Sequence, residues 1–443
     1  MGLFNLKENK TTVKTEIIAG ITTFMTMAYI IIVNPAILEG AGLEFTGILF
    51  ATVLISGVMS IVMGLISNNP YAVAPGMGLN AYVAYTVYTG GITWAEVMGA
   101  IIIAGAMLTI MSFTPVSSGL LKAIPKSLRF GLAAGIGIFL VIIGFSDSGI
   151  IVTGSATILE LGPVNLQFGL FMFGLILTSF LMIKKVKGSF LIGIVGTALL
   201  GGLFSIVGWG TTFIDSTFEP IVVDWANIFA LPNTVYLFDF DLGAILNPAL
   251  IIPIFTLAFT DLFDSISTFL GVSEVGGLLD EEGNPKNFKR TLIADSLTTM
   301  MSGFAGTSDA TTYIESAAGV EQGGRTGLTA IVTGLCFLPF MFFSPLLSAI
   351  PGYSTGPILV LLGVLMFRPL MSLDWSDYEE AIPAFVAMIM IPLAYSITYG
   401  IIFGILFYVL LKIFAKKAKE INAWLWVTFA FAILAFVADN FLL

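Results

Sequence analysis

GTSDATTYIESAAGV, residues 306–320, lies between two apolar runs and follows neither a helical nor an alternating pattern. Small residues and hydroxyls fill it, and an acid, Glu315, stands in it with no cation in the same run. A stretch of the same kind, NPYAVAPGMGLNAYVAY (69–85), holds the matching place in the first half of the chain. Backbone that is neither helix nor barrel is tolerated at membrane depth only where protein covers it or where it lines a wet cavity. The pair predicts a membrane protein whose two broken segments meet around an internal site.

The rest of the chain agrees. Of its 443 residues 57% are hydrophobic and 10% charged, with mean hydropathy +1.00. A soluble domain carries about 25% charged residues, so lipid is the expected solvent. Runs of about 20 apolar residues, the length needed to cross a bilayer, fall near 17–38, 46–66, 94–113, 129–147, 166–183 and 189–209. A second set falls near 248–270, 291–303, 325–347, 356–371, 381–396 and 398–414. With the two broken stretches they make about fourteen segments, and 423–438 is either a further span or an interfacial helix bearing Trp424 and Trp426. Each half opens with a polar-speckled span, adds one more, breaks, and continues with four. Seven per half is odd, so the second half is expected upside down relative to the first, as in secondary transporters.

Cations fix the orientation. Lys7, Lys10 and Lys14, Lys122, Lys126 and Arg129, Lys184, Lys185 and Lys187, Lys286, Lys289 and Arg290, Arg325, Arg368, and Lys416, Lys417 and Lys419 all fall on one side if the N-terminus is cytoplasmic. The loop 210–247 holds Asp215, Glu219, Asp224, Asp239 and Asp241 without Lys or Arg, and belongs outside. The N-terminus has no signal peptide pattern. The net charge is −10, there is no histidine, and Cys336 is the single cysteine, which excludes histidine relays, histidine metal sites and internal disulfides. The turn Gly323–Gly327 lacks the spacing and context of a phosphate loop. The chain contains no ATP-binding domain, so an ion or solute gradient is the expected energy source.

Chemistry concentrates in the broken segments and one span. Pro75 and Gly76 break the first stretch, with helix restarting near Leu79; the second is extended over Ser308–Tyr313 and helical from near Glu315. Two half-helices would then aim their N–H groups at the membrane midplane. A charge there costs about 2.5–3.5 kcal/mol, so Glu315 serves a ligand, a proton or the cap of its half-helix. Asp261 and Asp264, three apart, share one helix face. Such a pair, without a cation, favours holding a proton. Asn80 offers an amide to a ligand or a helix cap. Asp295, near a span end beside Arg290, and Asp309, a cap or vestibule residue, are weaker candidates. Thr22, Thr23 and Thr26 form a polar strip on the first span.

TTFMTMAYIIIVNPAIL (22–38), APGMGLNAYVAYTV (74–87), DLFDSISTFLGV (261–272) and GTSDATTYIESAAGVEQGGRTGLTAIVTG (306–334) resemble the AzgA-like guanine/hypoxanthine/adenine permeases of the nucleobase/ascorbate (xanthine/uracil permease) superfamily. The resemblance spans nearly the whole chain. It implies an all-α fold of two inverted seven-segment repeats, with short strands and half-helices at segments three and ten. Residues 1–128 and 248–350 would form a core domain, and 129–210 and 351–415 a gate domain. Residues 211–247 would be an extracellular loop, and 416–443 a basic stretch with an apolar helix. Asn80, Asp261 and Glu315 match the family's substrate positions and Asp264 a second functional aspartate. Ser265, Ser267 and Phe269 depart from the family's pattern.

Phe24 and Thr312 complete the expected substrate contacts, and Phe24, Tyr29 or Tyr313 would cover the purine face. Guanine and hypoxanthine place an N–H donor beside a 6-oxo group, which suits a carboxylate; adenine presents a ring acceptor there. The expected protein is a purine importer of the cell membrane, coupled to protons through Asp264, Asp261 or Glu315, with sodium as the alternative ion. It needs no cofactor or metal and binds no nucleic acid. Core would move against gate, by an elevator or a rocking motion, and the superfamily implies a homodimer through the gate domains. The rival readings are an inorganic-anion transporter of the same superfold and a membrane-embedded enzyme.

Overall fold

The computed structural model describes residues 4–88, 91–114, 125–154, 157–207, 228–279 and 285–423, with a few more between 425 and 436. Within them the chain forms fourteen segments. The first is two helices, α1 (Val13–Met27) and α2 (Ile30–Gly40), and the second is α3 (Phe45–Ser67). The third is a strand β1 (Val73–Pro75) leading into the half-helix α4 (Met77–Tyr82) and a wider turn over Val83–Tyr88. Then come α5 (Trp94–Phe113), α6 (Lys126–Asp147), α7 (Leu166–Ile183) and α8 (Ser189–Val207). A small hairpin, β2 (Ile151–Thr153) and β3 (Leu159–Leu161), joins α6 to α7. The second half runs α9 (Pro248–Gly276), α10 (Phe288–Ala305), strand β4 (Ala310–Thr312) with half-helix α11 (Ser316–Glu321), and α12 (Gly327–Phe337). After the short α13 (Ser344–Leu347) come α14 (Gly352–Met366), α15 (Tyr378–Ala394) and α16 (Ile397–Phe414). Eight of these stretches are long and apolar enough to cross a bilayer as single helices. Most of 423–438, and residues 208–227 of the expected outer loop, lie outside the described residues.

Local chemistry starts the helices where the apolar runs begin. Thr93 and Glu96 close a reciprocal capping box on α5, and Asn165, Asn247 and Thr326 cap α7, α9 and α12. Between α1 and α2 the N–H groups of Ile31 and Ile32 reach only three residues back, to Ala28 and Tyr29. Pro35 withholds a further N–H, so the first span is broken near its middle.

The two strands pair antiparallel across the molecule, Val73 opposite Thr312 and Pro75 opposite Ala310. Every residue in both is buried. A two-stranded ribbon in a membrane has two open edges, and each buried N–H or C=O there needs a partner. Side chains supply them. Ser60 accepts from the N–H of Val73 at 3.0 Å, Ser316 from that of Ala72 at 3.0 Å, and Asp295 from that of Thr312 at 3.0 Å. The polar residues scattered through α3, α10 and α11 are thus what permits strands at this depth.

The helices fall into two packing groups. Small residues bring α3 against α12, where a Cβ on Gly327 would meet backbone of Gly64, and α5 against α10 at Gly105 and Met300. In the other group Gly137 and Gly144 of α6 lie on Gly363 and Gly356 of α14, and Gly131 lies on Ala384 of α15. Close backbone approach of this kind is how helices associate in lipid. Gly327→Leu is expected to force α12 off α3 and cost about 3 kcal/mol, read as loss of monodisperse protein after detergent extraction. At the end of α16, Lys412 is buried and pairs with Glu379, Glu380 and Glu420 at 3.1–3.3 Å, tying α15 to α16. Between the groups, Thr398 of α16 meets the hydroxyls of Tyr82 (2.9 Å) and Thr256 (3.2 Å).

Candidate functional site

Glu315 immediately precedes α11, yet its carboxyl makes no capping bond to that half-helix. It turns instead to the first segment, where the Tyr29 hydroxyl donates to Oε1 at 2.5 Å. The same phenol lies 3.4 Å from the sulfur of Met77, the first residue of the other half-helix. Thr26, one turn before Tyr29, donates to the Glu315 carbonyl at 3.4 Å. Glu315 is partly accessible, and Asp264 on α9, within electrostatic reach of it, is exposed. These two carboxyls therefore open onto accessible space where the half-helices begin. The helix-cap reading of Glu315 is not met, since its carboxyl bonds the Tyr29 hydroxyl and not the first turn of α11.

Asp261 lies one turn from Asp264 but is fully buried. It accepts from Thr299 at 2.6 Å and from Ser265 at 3.4 Å. Ser265 also donates to Asp295 and sits 2.5 Å from the Thr311 hydroxyl. Asp295 further accepts from the hydroxyl of Thr312 at 2.8 Å. So Asp295 is not a solvated span-end residue beside Arg290. It sits in the second turn of α10, buried, because β4 presents its open edge there. Asp309 is likewise buried rather than in a vestibule, and neither of its carboxyl oxygens has a hydrogen-bond partner among the described residues. The ion pairs among the described residues are those of Lys412 and Lys417, none with these acids.

The remaining candidates are dispersed. Asn80 is the fourth residue of α4, not its cap, and its buried amide donates to Asn34 at 2.9 Å. Asn34 in turn donates to Thr52 and Thr307 at 2.7 and 3.0 Å. Thr312 spends its hydroxyl on Asp295. Phe24 packs on Phe337 and Phe340, with centroids 5.0 and 5.6 Å away, on the α12 side of α1. Tyr313 is buried and donates to the carbonyl of Pro75. The structure thus brings together Glu315, Asp264 and the Tyr29 hydroxyl, and sets Asp261, Asp295 and Asp309 behind them. Tyr29 was legible only as a ring; its hydroxyl contact spans 286 residues and has no sequence signal.

The profile of the Permease family matches residues 14–403. The guanine/hypoxanthine permease PbuO of Bacillus subtilis is 37% identical over 98% of this chain and 99% of its own. The adenine permease AdeP of Escherichia coli is 37% identical over 95% of this chain and 92% of its own. Among solved structures, the transmembrane domain of a cyanobacterial bicarbonate transporter, BicA, superposes with a TM-score of 0.65 at 15% identity, covering 87% of this chain and 96% of that domain. That likeness concerns the fold.

Proposed function

The chain belongs to this permease family, and on that premise we propose that it imports purine nucleobases across the cell membrane by proton symport. Nucleobase transport is the function of the curated relatives it matches along nearly their whole length. The observation that carries the detailed reading is the Glu315 carboxyl, fixed by Tyr29 and left open beside Asp264 where both half-helices begin. A purine edge offers N–H donors to such carboxyls, while an inorganic anion would be repelled by them. The molecule passes through unchanged, with α1 to α5 and α9 to α13 moving as a core against a gate of α6, α7, α8, α14, α15 and α16. The N-terminus is cytoplasmic.

Proton coupling rests on the three buried acids behind the site. Asp261 and Asp295 share the Ser265 hydroxyl, Asp309 has no hydrogen-bond partner among the described residues, and none of the three pairs with a cation there. A carboxyl at this depth is held at least cost as the neutral acid. A proton can therefore reside in the cluster and leave it by way of the exposed Asp264.

The test is uptake of radiolabelled hypoxanthine, guanine, adenine and uracil in cells lacking their own nucleobase carriers. Saturable purine uptake is expected, with accumulation lost on adding a protonophore and unchanged when sodium is replaced by choline. Purine uptake that follows sodium would overturn the proton assignment. Failure of inserted protein to take up any purine would overturn the substrate.

A further inference from the structure

Tyr29 was a candidate to cover the flat face of a purine. Its ring is fully buried and meets Phe190 of α8 edge-on, with centroids 5.2 Å apart at 89°. That ring is committed to protein, so the part of Tyr29 that faces the site is its hydroxyl. A phenol has one proton to donate. It lies on Glu315 Oε1 at 2.5 Å, with Met77 Sδ at 3.4 Å as its other neighbour. One side chain thus touches Met77 and Glu315, at the start of the two half-helices, and, through its ring, α8. It is also carried at the break between α1 and α2, where the N–H groups of Ile31 and Ile32 reach only three residues back.

We infer that Tyr29 is a positioning residue for the substrate: its hydroxyl fixes the Glu315 carboxyl so that Oε2 is presented to the purine N–H, and Phe190 holds the phenol at that angle. This rests on the reading of Glu315 as the substrate's acceptor. Without the hydroxyl, the carboxyl rotates freely and must be ordered by each incoming purine, which weakens binding. Without the Phe190 edge, the phenol gains freedom and the same effect appears in smaller measure. No charge or polar group of the site is altered by the second change, so a merely structural role for Tyr29 would not produce it.

The experiment is purine uptake kinetics in whole cells for wild type, Tyr29→Phe, Phe190→Leu and Glu315→Ala, normalised to protein in the membrane. Tyr29→Phe is expected to raise KM about tenfold, the measure of one hydrogen bond to a charged group, with Vmax within about twofold. Phe190→Leu is expected to raise KM roughly threefold, the measure of one aromatic pair. Should Tyr29→Phe fail to reach the membrane, the Phe190→Leu KM alone decides. Wild-type KM in these variants, with Glu315→Ala inactive, would overturn the positioning role. Retained uptake in Glu315→Ala would instead overturn the substrate reading on which it stands.

Discussion

Replacing Glu315 by alanine is expected to lower guanine uptake by at least a hundredfold while the protein remains inserted. The carboxyl lies at the junction of the half-helices, is partly accessible, and is held in a fixed orientation by Tyr29. A hydrogen bond to a charged acceptor contributes about 1.5–3 kcal/mol. Two such bonds, to the adjacent N1–H and amino donors of guanine, give about 3–6 kcal/mol, or upwards of a hundredfold in affinity, whereas hypoxanthine offers one donor on that edge and loses about tenfold or more. The fold should tolerate the loss. Glu315 makes no capping bond to α11, and the Tyr29 hydroxyl left behind still has the sulfur of Met77 at 3.4 Å. Glu315→Gln sharpens the test. An amide keeps an acceptor but adds a donor, which suits the ring acceptor of adenine. The ratio of adenine to hypoxanthine uptake is therefore expected to rise in that variant as total uptake falls. Saturable wild-type hypoxanthine uptake in Glu315→Ala, by radiolabel, would place the substrate elsewhere.

The course of the segments was legible because lipid leaves so few solutions. A helix is found at each of the twelve apolar runs, eight of them long and apolar enough to cross a bilayer, and both broken stretches carry a strand and a half-helix. Proline and glycine announce a break in any context, so 73–82 could be read locally. What could not be read is which groups satisfy the broken backbone. Asp295 looked like a span-end acid because Arg290 is five residues away, but the edge of β4, formed 15 to 17 residues later, draws it inside. Asn80 reads as an amide for a ligand or a cap, yet the helix starts three residues earlier and the amide donates to Asn34. Ser265, read as a modest departure from the family's pattern, joins Asp261, Asp295 and Thr311. In each case the deciding partner lies on another segment, and a periodicity reading carries no information about it.

Glu16 is the clearest instance, and its removal carries the largest expected cost to the fold. In the sequence it belongs to the polar stretch before the first span. In the structure it is fully buried in the first turn of α1. Its Oε1 accepts from the N–H of Arg325 at 2.9 Å. Its Oε2 accepts from the N–H groups of Thr326 and Thr329 at 3.3 and 3.2 Å, and from their hydroxyls at 2.9 and 2.6 Å. One carboxyl from segment one therefore satisfies the open N-terminus of α12, where negative charge is favoured by the helix dipole. It also fixes the loop through which α11 leads into α12. Glu16→Ala leaves three buried N–H groups and two hydroxyls without that acceptor. The expected loss is about 3–5 kcal/mol, or on the order of 5–10 °C in Tm of the detergent-solubilised protein. Glu16→Gln returns an acceptor oxygen but turns an NH2 group toward N–H donors, so it should recover only part of the loss. Protein that survives extraction should bind purine with near wild-type KM, since Glu16 touches no group of the site. An unchanged Tm in Glu16→Ala would mean that the Thr326 hydroxyl, which accepts from Leu328 at 3.4 Å, caps α12 unaided.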